Sequence, residues 1–147
     1  MARTRVTSDA VGVDGLNQLR RGLKSLGDEY PKALRRELKQ IGTGLAADVA
    51  AKVPRRSGAA AGSVRAGTSG TTAFVRAGGT KAPYYAWLDF GGGIPNKRNR
   101  GSNPPRISRE FLPDGRYLFP TLKRERPRII RESVAAFERI ARTALPR

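Results

Sequence analysis

"PKALRRELKQIGTGLAADVAAKVP", residues 31–54, is the stretch on which the fold turns. Leu34, Leu38, Ile41, Leu45, Val49 and Val53 recur at spacings of four, three, four, four and four, the period of one helix face. Pro31 suits the first helical position, where its missing amide proton leaves no bond unmade, and Pro54 stops the run. At 1.5 Å per residue the stretch predicts a rod of roughly 35 Å. A rod with one apolar stripe needs another layer to cover it. Lys32, Arg35, Arg36, Lys39 and Lys52 lie mostly off the stripe. They form either a solvated face or a basic surface turned to a partner.

Upstream, residues 1–12 read as an extended arm, and Asp14 is placed to cap a shorter helix with Leu16, Leu19, Leu23 and Leu26. Gly27 ends it, and Gly22 inside it costs about 1 kcal/mol against Ala. Downstream, "PRRSG" (54–58) is a turn by composition. "SVRAG" and "TAFVRAG" then read as short strands about a "TSGT" hairpin turn, with Val64, Phe74 and Val75 facing inward.

"PYYAWLDFGGG" (83–93) follows, with Tyr84, Tyr85, Trp87 and Phe90, one acid and three glycines. As a short helix it puts Tyr84, Trp87 and Leu88 on one face and Tyr85 on the other, near Asp89. Such a pattern seals the edge of a core, and makes Trp87 the most sensitive position. A protein interface and a base-stacking surface are the alternatives. Residues 91–116 carry five Gly, four Pro and six Lys or Arg without periodicity. They read as a long basic loop that orders against a neighbour. Leu122, Ile129, Ile130, Val134, Phe137 and Ile140 then give a last helix an apolar face after Pro120, with Pro127 expected to kink or restart it. The sum is one α+β domain over residues 1–147, with an N-terminal helix pair and a C-terminal helix on a small antiparallel sheet.

Composition narrows the chemistry. Without Cys or His the chain has no thiolate zinc site, disulfide or histidine-activated nucleophile. Asp89 is the only acid between Asp48 and Glu110, and no metal-ligand or phosphate-loop spacing occurs. We therefore expect no enzyme, no metal and no cofactor. The net charge of +17, from 29 Lys and Arg against 12 Asp and Glu, calls for acidic partners. It is spread along the chain rather than gathered in one tail. No apolar run is long enough to span a bilayer, and "MARTRVTSDAVGV" lacks the apolar core of a secretion signal. On these grounds alone a basic, sequence-independent nucleic-acid-binding protein is one reading.

Three landmarks in order suggest another. "VPRRSGAAAGSV" (53–64) closes the long helix, "YYAWLDFGG" (84–92) follows the hairpin, and "RYLFPTL" (116–122) opens the final helix. Over residues 11–142 the chain resembles the tail-completion, or putative tail-component, family of long-tailed bacteriophages. Members of that family tend to read "AP.RTG.L..SI", then "YA..VEFG", then "P.F..PA". This chain lacks the leucine after the first glycine, has Asp89 in place of the common Glu and Thr121 in place of Ala, and adds Pro127. The resemblance implies a non-enzymatic virion protein, assembled in the host cytoplasm, at the neck between head and tail. Such proteins form rings, commonly hexamers. Head-closure or adaptor proteins and the tail terminator or tail tube are their neighbours, and non-specific contact with genomic DNA is allowed. Interface residues would be Arg55, Arg56, Tyr85, Asp89, Lys97, Arg98, Arg100, Arg106 and Arg109. Asp89 would pair with Arg56 or Arg65 on the same or the next subunit, or else be a solvated acid.

Overall fold

A computed structural model of the chain describes residues 16–95 and 106–145. The periodic run forms α2 (Glu29–Lys52), a 24-residue helix preceded by α1 (Leu16–Leu26). After α2 come a single turn, α3 (Ala59–Gly62), and a hairpin of β1 (Arg65–Ser69) and β2 (Thr72–Arg76). The aromatic stretch forms α4 (Tyr85–Phe90). Then β3 (Gly92–Pro95) pairs antiparallel with β4 (Arg106–Arg109), and α5 (Leu118–Ala144) follows. The fold is α+β.

α2 is the centre of the molecule because its stripe is covered along its whole length. Leu34, Leu38, Leu45 and Val49 are buried, with Val49 and Leu34 at 0% and 1% exposure. Each such side chain stabilises the fold by about 1.5–3 kcal/mol. The first half of the stripe shares a cluster with Ile140 and Ala144, the second half with Leu122 and Ile129. α2 and α5 therefore run antiparallel. Ion pairs on their flank repeat the register: Arg139 reaches Glu37 at 2.8 Å, and Arg128 bonds Asp48. Partly exposed pairs of this kind add at most about 1 kcal/mol each, so apolar burial sets the pairing and the charges only agree with it.

The hairpin lies against another side of α2. Ala66 and Ala73 meet Gly42, where an added Cβ would sit 3.5 Å from the Ala66 methyl, so small residues on both sides let helix and strands approach closely. Ser69 pairs with Thr72, which leaves a two-residue turn with Gly70 at φ 59°, the left-handed region that glycine enters without penalty. Val64 and Val75 pack against the core. Phe74 does not. Side chains alternate along a strand, so Phe74 points opposite to Ala73 and Val75, is 39% exposed, and lays its ring over Gly67, its cross-strand partner.

Several further expectations need correction. Residues 59–62, between the turn at 54–58 and the first strand, form α3, whose first amide donates to the Ser57 hydroxyl. The segment 91–116 is not wholly irregular, since β3 and β4 fall within it. Ile130 and Val134 face solvent at 41% and 46% exposure, because α2 covers a narrower arc of α5 than its apolar residues span. Leu26 is likewise exposed. Pro127 does not restart α5, which runs as one helix from Leu118 to Ala144 with core residues on both sides of the proline. The arm over residues 1–12 and the Asp14 cap lie outside the described residues.

Candidate functional site

Asp89 is fully buried at the end of α4. A buried carboxylate is costly unless its oxygens are satisfied, and here the backbone at the start of α5 satisfies them. One oxygen accepts the amides of Arg116 (2.6 Å) and Tyr117 (2.8 Å), and the other accepts that of Leu118 (3.3 Å). These are donors that a helix start leaves unpaired, and the helix dipole favours a negative charge at that end. Asp89 is thus an N-terminal cap supplied from 27 to 29 residues away in sequence. It pairs with neither Arg56 nor Arg65, both of which are exposed.

The surrounding segment is tied at both ends. The Arg116 guanidinium donates to the carbonyls of Asp89 (3.0 Å) and Glu110 (2.6 Å), and the Leu112 amide donates to the Phe90 carbonyl (2.7 Å). Gly115, at φ 73°, passes so close that an added Cβ would lie 2.7 Å from the Asp89 carboxylate. The indole N–H of Trp87 donates to the Gly92 carbonyl (2.9 Å), and Arg109 sits over the indole ring while donating to the Tyr117 hydroxyl (3.1 Å). On the other side of α4, the Ser63 hydroxyl accepts the Gly78 amide (2.9 Å) and donates to the Ala60 carbonyl (2.6 Å). Tyr85 packs in one cluster with Val53, Ala60, Ala61 and Ala82, joined by Tyr117 and Leu118.

The expected inward face of the aromatic helix therefore holds for Leu88, which packs against the core cluster, but not for Tyr84 or Trp87. Tyr85 and Asp89, one turn apart, point inward, while Tyr84 is 37% exposed and Trp87 is only partly buried. Trp87 anchors the glycines after α4 rather than the core, so its loss is expected to cost less than that of a core aromatic.

The Tyr85 hydroxyl is buried with no hydrogen bond of good geometry, although the Asp89 carboxylate is close enough to act on it. Burial first, and that neighbouring charge second, hold the phenol well above its ordinary value of 10.0. Above pH 10 the unfolded chain releases this proton while the folded chain keeps it, so the native state binds more protons and stability falls as pH rises. Tyr85→Phe removes that difference and an unpaired hydroxyl together. We expect the variant to match or exceed the parent in urea stability at pH 7, and to lose less than the parent between pH 9 and pH 11. An equal alkaline loss in both proteins would disprove the assignment.

Beside the joint lies a hollow of about 210 Å³, lined mainly by apolar atoms, among them those of Ala77, Ala82, Tyr85 and Phe119. It is smaller than a usual small-molecule site, and the one acid on its wall has both oxygens occupied by amides. Among the described residues no group of three or more His, Cys, Asp or Glu could hold a metal ion, and no helix is long and apolar enough to cross a membrane.

Of the residues singled out from sequence, Tyr85, Asp89 and Arg109 are brought to this one joint. Tyr85 and Asp89 are buried within the chain. Arg55 and Arg56 are exposed in the turn after α2. Arg106 lies on β4, and Lys97, Arg98 and Arg100 lie outside the described residues. Sequence reasoning missed Ser63, Gly115 and Arg116. "PDG" at 113–115 marks a turn, but nothing local signals that the turn receives a distant carboxylate. Comparison with protein-family models, curated proteins and solved structures finds no match to this chain.

Proposed function

We propose that the protein is a structural component of a phage neck, a ring-forming subunit that completes the tail end and joins it to the head connector. The observation that carries this reading is the meeting of the three motifs on which the resemblance rests. Ser63 from the first bonds Gly78 at the approach to the second, and Asp89 from the second caps the helix opened by the third. Motifs that occupy one joint act as a framework for a subunit. The occupied carboxylate and the small apolar hollow give that joint no reacting group.

Exposed apolar residues support assembly. Ile130 and Val134 lie one turn apart on α5, and Phe111 is 62% exposed. Surfaces of this kind are covered when copies or partners pack against them. Deleting the gene from its phage is expected to leave filled heads and separate tails, seen by negative-stain microscopy and rescued by the gene in trans. A normal yield of infectious particles without the protein would overturn the reading.

A further inference from the structure

The four cations in the first half of α2 lie on one face. Lys32, Arg35, Arg36 and Lys39 are spaced three, four and seven residues from the first, within about 100° of arc, and all four are exposed. None forms an ion pair among the described residues. Asp28, one turn before Lys32, is exposed and within ion-pair distance of none of the four, and the other nearby acids are turned elsewhere. Glu37 is held by Arg139 and Asp48 by Arg128, both on the α5 side, and the Glu29 carboxylate lies over Gly27. The remaining exposed residues of this half of α2 and the turns just beyond include Gln40, Gly44 and Ala47, with open space around Gly44. No aromatic or large aliphatic side chain is among the exposed residues of α2.

We propose that this face docks the sugar–phosphate backbone of duplex nucleic acid, with Lys32, Arg35, Arg36 and Lys39 each neutralising phosphate. The inference goes beyond the neck reading and does not depend on it. The partner follows from what the face has and what it lacks. Protein interfaces are anchored by aromatic and large apolar groups, and here there are none. Single-stranded nucleic acid is held by aromatic stacking, which is equally missing. Phosphate backbones are contacted by Arg, Lys and amide side chains, which is the composition found. The row spans about 10 Å of helix axis. Duplex DNA presents a charge every 1.7 Å or so of its own axis, so the row meets phosphates in any register and without reading bases. Small residues beyond it keep the helix surface low enough for close approach.

The experiment is fluorescence anisotropy of a labelled mixed-sequence DNA duplex titrated with the full chain between 50 and 150 mM salt. Four phosphate contacts give a slope of log K against log salt of about −3.6, or about a fifty-fold loss of affinity across that range. Replacing Lys32, Arg35, Arg36 and Lys39 by Gln is expected to remove most of that slope. Single substitutions should each remove about 0.9. A control with the same change in net charge replaces Lys81, Lys123, Arg126 and Arg131, all exposed and unpaired among the described residues, and should change the slope by less than one. Thermal melts of both variants confirm folding. Equal losses in the two variants would mean that net charge alone binds DNA, and would overturn the proposal. Competition by poly-glutamate as effective as by duplex DNA at equal charge would overturn it too, in favour of an acidic protein partner.

Discussion

Asp89→Ala is expected to lower the thermal midpoint by about 6–20 °C. The carboxylate accepts three amides at the start of α5, and its loss leaves all three without partners in a place that water does not reach freely. A helix cap alone is worth about 0.5–2 kcal/mol. Each buried donor left unpaired adds about 1–3 kcal/mol before relaxation. A combined loss of about 3–5 kcal/mol is a large share of the 5–15 kcal/mol that holds a domain of this size together. At about 2–4 °C of midpoint per kcal/mol, the shift is well outside error. Asp89→Asn should fall between parent and alanine variant, because its one carbonyl oxygen can still accept from Arg116 and Tyr117 while its amide nitrogen faces the Leu118 N–H. An alanine variant that melts within 2 °C of the parent would show that the cap is dispensable.

Gly91→Ala should be comparably severe for a different reason. Gly91 stands at φ 86° and ψ −153°, a region open in practice only to glycine. A Cβ there would sit 1.9 Å from the Glu110 carbonyl oxygen, which is backbone and cannot swing aside. Relief requires moving either the turn after α4 or the segment that Arg116 clamps at Glu110. Backbone strain costs about 1–3 kcal/mol, and a forced rearrangement of packed chain about as much again. We expect a loss of about 4 kcal/mol by urea denaturation. Gly92→Ala isolates the two contributions, since Gly92 has φ 96° but open space around it, and should cost only the strain. Equal losses at the two positions would rule out the clash.

The helices were legible because their information is local. Leu34 through Val53 repeats with the helical period for more than five turns, and the end of α1 at Gly27 and the turn at Gly70 carry their usual punctuation. Where a decision depended on which partner covers which arc, the sequence was silent. Ile130 and Val134 are as apolar as Ile140, and only the width of α2 leaves them outside. Phe74 was assigned inward on hydrophobicity, but Gly67 opposite it offers a place to lie on the outer face. The aromatic helix was misread for a related reason. Hydrophobicity favours Tyr84, Trp87 and Leu88 as the inward face, of which only Leu88 packs on the core, and the buried positions carry a tyrosine and an aspartate because three backbone amides wait there. No residue near 89 announces donors at 116–118, whereas Arg56 and Arg65 stand out by their opposite charge.

The antiparallel pairing of α2 with α5 also bears on how the chain is made. At about 5–20 residues per second, a ribosome takes roughly 3 to 13 s to travel from Lys52, where α2 ends, to Leu118, where its cover begins. Through that interval the stripe of Leu34, Leu38, Leu45 and Val49 has only α1, α3 and the hairpin to rest on. The nascent chain must therefore hold a half-covered apolar rod apart from its neighbours on the same message. A cell that makes many copies at once needs chaperones most during those seconds.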